Sequence, residues 1–197
     1  MKTIVENKIV EIEIKKSKFI AYTFKLASEN DVDELLEMLK KRHKDATHIT
    51  YAFVLNSPVM EKCSDDGEPS GTAGKPILDV IKKQELTNIL VVVVRYFGGI
   101  KLGAGGLVRA YSNSAKSAID ESGMTELNRY NIFQIKVLVD NKFLVDNDKS
   151  IKVIDIDYSD IGNKIVRYMV AIMDTEDNIK KINSISKEMF LIEKVMM

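Results

Sequence analysis

An α+β protein of two domains is predicted by three observations: strand and helix patterns mixed through the first two thirds of the chain, glycine and proline gathered there, and a glycine-poor remainder whose strands surround one helix. Eight of the ten glycines lie between Gly67 and Gly106, and Pro58, Pro69 and Pro76 are the only prolines. Special backbone geometry is concentrated in that segment. Lys8 to Leu26 reads as a hairpin, with Ile9, Ile12, Ile14, Phe19, Ala21 and Thr23 at a period of two broken at Lys15 to Lys18. Ser28 is an N-cap with Asp31 three positions on, and Val32, Leu35, Leu36 and Leu39 follow at helical spacing up to the basic end Lys40 to Lys44. Thr47 to Leu55 is strand-like. Pro76 opens a helix carrying Ile77, Leu78, Val80 and Ile81. Leu90 to Val94 is apolar without alternation, which predicts a central strand covered on both faces. Leu107 to Ser122 is a helix with Leu107, Tyr111, Ala115 and Ala118 inward.

The texture changes near Asn128 to Asn131, so the expected domains are residues 1–128 and 129–197. Ile132–Val139, Ser150–Tyr158 and Lys164–Met173 read as strands, Asp174 caps a helix carrying Ile179, Ile182 and Ile185, and Met189–Met196 is a last strand. That order suggests a split βαβ, ferredoxin-like unit. Between the first two strands, Asp140 to Lys149 offers only Phe143, Leu144 and Val145 as apolar residues, too few for more than a marginal helix.

Composition narrows the setting. The chain has 197 residues, 45% of them hydrophobic, and its 29 Lys and Arg balance 29 Asp and Glu, so no bulk field draws it to nucleic acid or to a membrane. Any charged partner must be met locally. The single Cys63 cannot form an internal disulfide, no apolar run nears the roughly 20 residues that span a bilayer, and the start lacks the pattern of a signal peptide. A cytoplasmic protein with no membrane partner is expected, monomeric or weakly self-associating.

Two constellations could carry chemistry. The first runs from Ser64 to Pro76, where Asp65, Asp66 and Glu68 precede Ser70, Thr72 and Lys75. Three carboxylates could hold a divalent cation, with a phosphate on the helix N-terminus behind them. The plain alternative is a turn, with Ser70 or Thr72 capping the helix that Pro76 enters. No metal and no cofactor is called for by spacing.

The second runs from Val92 to Tyr111 and holds Arg95, Tyr96, Phe97, Gly98, Gly99, Lys101, Gly103, Gly105, Gly106 and Arg109. A strand, a glycine-rich turn and a helix bring backbone N–H groups toward an anion. It is not a Walker loop, because no Gly-Lys-Ser/Thr follows, and the spaced acid of a dinucleotide fold is missing. Leu86 to Ile119 contains no acid while holding Arg95, Lys101, Arg109 and Lys116, a local charge of +4. Tyr96 and Phe97 beside Arg95 could stack on bases. The alternative is a tight turn, core aromatics and a solvated basic face. His43, His48 and Cys63 are weak candidates, since neighbouring carboxylates would blunt the thiol and no serine–histidine pairing follows from spacing.

In Ser17-Lys18-Phe19-Ile20, Ser64 to Pro76 and Val92 to Tyr111 the sequence resembles the YigZ/IMPACT family, across about residues 1 to 125. The resemblance implies a first domain similar to the second domain of ribosomal protein S5 and to domain IV of elongation factor G. It implies a ferredoxin-like second domain similar to that factor's domain V. It carries no established catalytic activity, which leans against an enzyme. The family's eukaryotic members restrain the amino-acid-starvation kinase of translation initiation by competing for its ribosome-associated activator. The expected function is therefore a non-enzymatic, translation-associated regulator that binds RNA or a ribosome-associated protein. The alternatives are a Mg-dependent enzyme acting on a phosphorylated small molecule and a pure protein-interaction module.

Overall fold

Alternation in the first segment and the break after Ile14 place a tight turn at Lys15 and Lys16, and the computed structural model has one there. It describes residues 1–56 and 58–196, in two units, Met1–Glu126 and Leu127–Met197. In the first unit β1 (Lys2–Ile4) pairs antiparallel with β7 (Met124–Glu126). β2 (Ile9–Ile14) and β3 (Ser17–Lys25) form the hairpin, with Ile14 opposite Ser17. Its two turn residues both adopt positive φ, 47° at Lys15 and 64° at Lys16. That twist matches the flanking strands, although neither residue is the glycine or asparagine such turns favour.

α1 (Asn30–Arg42) follows, then the hairpin of β4 (His48–Asn56) and β5 (Val59–Ser64), α2 (Gly74–Lys83), β6 (Ile89–Tyr96) and α3 (Ala104–Ser122). The five-stranded antiparallel sheet has the order β2-β3-β6-β4-β5, which puts β6 at its centre. α1 covers one face, where Val32, Leu36 and Leu39 meet Tyr22, Phe53, Leu90, Val92 and Val94. α2 and α3 cover the other, where Ile77, Ile81, Tyr111, Ala115 and Ile119 meet Phe19, Ala52, Ile89, Val91 and Val93. Ile89 to Val94 are therefore wholly buried, each side chain contributing about 1.5–3 kcal/mol relative to exposure. The unbroken apolar run is read correctly as a two-sided central strand.

The start of α1 corrects one expectation. Ser28 does not cap; the acceptor is Asp31, which takes the backbone N–H of Ala27 at 2.8 Å and of Ser28 at 2.9 Å. Those two N–H bonds hold the Asp31 carboxyl below the usual range.

In the second unit β8 (Arg129–Leu138), β9 (Ile151–Asp157), β10 (Ile165–Met173) and β11 (Glu188–Met196) form an antiparallel sheet in the order β11-β8-β10-β9. This is the split βαβ arrangement expected from the strand and helix order. α5 (Glu176–Ile185) crosses from β10 to β11, capped by Thr175 rather than Asp174, since the Thr175 hydroxyl takes the Asn178 N–H at 3.3 Å. Asp174 instead accepts from the Asn131 amide at 2.7 Å. The other crossover shrinks to a 3₁₀ turn, Val139–Asn141, and α4 (Lys142–Asp146). Val145 alone in α4 reaches the core, while Phe143 and Leu144 stay exposed, so the poor apolar content of the segment is what limits the helix.

Candidate anion-binding cleft

Period-two alternation along β6 decides where its last two residues go. Ile89, Val91 and Val93 face α2 and α3, so Arg95 does too; Val92 and Val94 face α1, and Tyr96 follows them. Arg95 is consequently 5% exposed. Its Nη1 donates to Glu68 Oε1 at 2.6 Å. The same oxygen accepts the Tyr111 hydroxyl at 2.7 Å and lies 3.8 Å from His48 Nε2. Burial, then the Glu68 hydrogen bond and charge, push the Tyr111 hydroxyl far above its ordinary value. Ser17 Oγ accepts the Gly98 N–H at 3.2 Å and stands 3.5 Å from Arg95 Nη2. The Arg95 guanidinium also lies between two rings, 5.5 Å from the Phe19 centroid and 5.6 Å from that of Phe97. Tyr96, on the other face, sets its hydroxyl in a partly buried hydrogen bond with His43 Nδ1 at 2.7 Å, and Tyr22 holds His43 Nε2 in a buried one at 2.6 Å. Burial and then Arg42 push the His43 imidazole down. Arg95 is thus a buried, structural side chain and Tyr96 a half-buried one held by His43, where the sequence reading has both on a solvent-facing surface.

The acidic loop meets the basic segment, and its three carboxylates diverge. Asp65 accepts the backbone N–H groups of Gly71 at 2.8 Å, Ala73 at 3.0 Å and Gly74 at 2.8 Å, closing the start of α2. The cap of α2 is therefore Asp65 and neither Ser70 nor Thr72; Thr72 turns its hydroxyl onto the Pro69 carbonyl at 2.6 Å, and Ser70 is exposed. Burial opposes ionisation of Asp65, but the three N–H donors outweigh it and hold the carboxyl below its usual range. Asp66 accepts the Ile49 N–H at 2.5 Å, and its carbonyl takes His48 Nδ1 at 2.7 Å. Glu68 is the partner of Arg95. Lys75 pairs with Asp79 at 2.7 Å. Among the described residues no three His, Cys, Asp or Glu side chains come together to hold a metal ion. Burial first, then Asp65, push the Cys63 thiol up, with Lys75 opposing.

Because the folded Asp65 carboxyl titrates below its unfolded value, its stabilisation is complete above the ordinary carboxylate range and is lost as pH falls through the folded value. Asp65→Asn leaves one acceptor oxygen where the carboxylate uses two for three N–H donors, and is expected to cost about 1–2 kcal/mol at neutral pH. Between about pH 5 and about pH 3 wild type then loses stability faster than the variant, which urea midpoints across that window would show.

Above the Glu68–Arg95 pair opens a cleft of about 380 Å³, lined by Thr47, His48, Pro69, Phe97, Lys101 and Leu102 and by the start of α3. Phe97 is 47% exposed. Gly98 presses on the Lys15–Lys16 turn: a Cβ there would stand 1.8 Å from the Lys16 carbonyl oxygen. Gly99 and Gly103 take positive φ, 84° and 72°. α3 begins after Gly103 with no side-chain cap and no acid in its first turn. Its first intrahelical bond is Leu107 N–H to Gly103 O at 2.9 Å, so the N–H groups of Ala104, Gly105 and Gly106 precede the ladder. Nothing stands within 4 Å of a Cβ built on Gly103 or Gly105, whereas one on Gly106 would meet Leu102 at 3.0 Å. Lys101 and Arg109 are exposed, and among the described residues neither makes an ion pair. Lys116, further along α3, pairs with Asp120 at 2.5 Å. Tyr111, expected on the inward face of its helix, completes the cluster with Ser17 and His48, which the sequence reading did not assign to it. The signals for these two are a serine in the inward phase of β3 and a histidine in the same phase of β4 as the buried Thr50 and Ala52.

The fold and the cleft define an α+β chain whose first unit presents, among the described residues, uncapped amides at the start of α3, exposed cations without an ionic partner and a buried ion pair. The Impact N-terminal domain model matches residues 15–119, and the chain belongs to the YigZ/IMPACT family. It is 47% identical over 117 residues to the IMPACT family member YvyE of Bacillus subtilis, covering 59% of this chain and 54% of that protein. It is 42% identical over 110 residues to the IMPACT family member YigZ of Escherichia coli, covering 54% of each. The chain spans about half the length of these curated relatives. A crystal structure described as that of a hypothetical protein matches 98% of this chain and 97% of its own, at 29% identity and a TM-score of 0.65. No helix among the described residues is long and apolar enough to cross a membrane.

Proposed function

We propose that this protein is a non-enzymatic regulator of translation whose first unit binds RNA along the rim of the cleft. One observation carries the reading: all three carboxylates of the acidic loop are engaged within the fold, while Lys101 and Arg109 stand exposed without an ionic partner among the described residues. The exposed Lys15–Lys16 turn packs against Gly98 and adds charge of the same sign. Cations left unpaired on a chain of zero net charge concentrate their field where the backbone is open, and phosphates are the anions that field attracts. The likeness of the family's domains to translation-factor domains supports the translational setting. Divergence of Asp65, Asp66 and Glu68 weighs against the magnesium-dependent alternative.

The test is retention of transfer RNA and ribosomal RNA fragments on filters over a range of salt. Lys101→Glu with Arg109→Glu removes two contacts, so the logarithmic salt slope shrinks by about 2 while affinity falls at every salt concentration. Melting temperature stays near wild type, because both side chains are exposed. Retention unchanged in the double variant would overturn the reading. Arg95 has no place in that experiment, since reversing a buried charge tests folding.

A further inference from the structure

The strong form of an arginine–carboxylate pair is a fork of two parallel hydrogen bonds, and the Glu68–Arg95 pair has one. It runs from Nη1 to Oε1, the oxygen that the Tyr111 hydroxyl also occupies. Arg95 Nε is buried with no partner. Glu68 Oε2 accepts no hydrogen bond among the described residues, although its side chain is only 3% exposed. His48 does not satisfy it, since Nδ1 is held by the Asp66 carbonyl at 2.7 Å and Nε2 stands 3.8 Å from Oε1. A buried acceptor left without a donor is costly, and a donor from outside relieves that cost. Such a donor has access: Glu68 lines the cleft, and this oxygen is not sealed from solvent.

The other walls say what kind of donor fits. A volume of about 380 Å³ lies near the lower end of pockets that enclose single ligands. Pro69, Leu102 and Leu107 are apolar. Phe97 adds a flat face, 47% exposed, with the Arg95 guanidinium 5.6 Å from its ring centroid. Its backbone is fixed by the N–H bond to Thr47 Oγ1 at 3.0 Å. Arg95 already balances the charge of Glu68, and Lys101 lines the cleft as well, so a cationic donor is repelled. What remains is a flat, neutral group carrying an N–H donor, and an unpaired nucleobase with an exocyclic amino group is one.

We propose that the cleft reads one unpaired base of the bound strand, stacked on Phe97, with its exocyclic amino group donating to Glu68 Oε2. The inference rests on the reading of this surface as an RNA site and deepens it: Lys101 and Arg109 hold phosphates of any sequence, and Glu68 selects the base. Cytosine and uracil separate the two roles. They match in size, but cytosine brings the N4 amino donor where uracil brings the O4 acceptor, which would meet the carboxylate lone pair to lone pair.

The experiment measures filter retention of oligocytidylate and oligouridylate of equal length, with cytidine and uridine in a parallel thermal-shift assay. The cytosine strand is expected to bind about tenfold more tightly, the effect of one hydrogen bond to a charged acceptor. Glu68→Gln tests the assignment by its chemistry. Arg95 and Tyr111 both donate to Oε1, so the amide oxygen must stay there and the NH₂ group takes the place of Oε2. A donor then faces the base, and the ratio should fall to about one or invert, whereas a purely structural carboxylate would weaken both strands alike. Should Glu68→Gln fail to fold, the wild-type ratio and Phe97→Ala decide. Phe97→Ala loses the stacking face and should weaken both strands about fivefold or more, with a melting temperature near wild type because the ring is half exposed. Equal retention of the two strands by wild type, a ratio unchanged in Glu68→Gln, or retention unchanged in Phe97→Ala overturns the base site and leaves the RNA reading standing. Retention of neither strand, with a melting point raised by cytidine and not by uridine, supports the cleft and overturns the RNA reading. Neither retention nor a shift overturns both.

Discussion

Arg95→Leu is expected to destabilise the protein by about 3–5 kcal/mol, because it strands a carboxylate inside the fold. Glu68 is 7% exposed and would keep only the Tyr111 hydroxyl at 2.7 Å and a distant His48. Against a typical total of about 5–15 kcal/mol, that loss brings the first unit close to unfolding at ambient temperature. The informative comparison is Arg95→Leu with Glu68→Leu, which removes both charges and leaves an apolar pair smaller than the one it replaces. Buried pairs replaced together often cost little, so the double variant should recover most of the stability. Urea denaturation of the four proteins in the cycle gives the coupling directly. A single variant that loses less than about 1 kcal/mol would show that water reaches Glu68 and that the pair is not a dry one.

Gly98→Ala should be the most damaging methyl group that can be added to the glycine loop. The new Cβ would overlap the Lys16 carbonyl oxygen at 1.8 Å and the Ser17 nitrogen at 2.5 Å, both backbone atoms that no rotamer change can move aside. Either the β2–β3 turn or the loop after β6 must shift, breaking the Gly98 N–H bond to Ser17 Oγ. Overpacking of this kind costs about 1–3 kcal/mol or more. Gly99→Ala is the control, since its φ is 84° but nothing lies near its Cβ; strain alone there costs on the order of 1 kcal/mol. Melting curves should separate the two variants by several degrees. Equal melting points would mean that the close approach to Lys16 relaxes freely.

Much of the architecture is legible in the sequence because it depends on local periodicity. The Lys15–Lys16 break, the unbroken run Ile89–Val94 and the poor apolar content of Asp140–Lys149 each report directly on a turn, a two-sided strand and a shortened crossover. Caps are less legible. Asp65 reaches backbone amides at the start of α2 that spacing offered to Ser70 or Thr72, and Asp31 binds back to the N–H groups of Ala27 and Ser28 where Ser28 was expected to cap forward; loop geometry makes both choices. The site divides along the same line. Lys101 and Arg109 are exposed, but Arg95 is buried and Tyr96 is only partly exposed. Extending the alternation of Val91 and Val93 by one step shows why: Arg95 falls in the buried phase, and its partner Glu68 is 27 residues away in sequence. No local pattern could pair them, nor bring Ser17 to Gly98 across 81 residues.

The place of β6 between β3 and β4 has a consequence for how the chain is made. Both of its neighbours leave the ribosome before it, each already carrying a hairpin partner, β2 and β5. Until residue 96 has emerged, the inner edges of β3 and β4 have no partner and α3 has yet to be made, the condition in which nascent strands associate with the wrong neighbour. Insertion of one strand then joins the halves in a single step. The segment that does so ends in Arg95, so the buried charge is delivered last, onto a Glu68 that has been waiting for it.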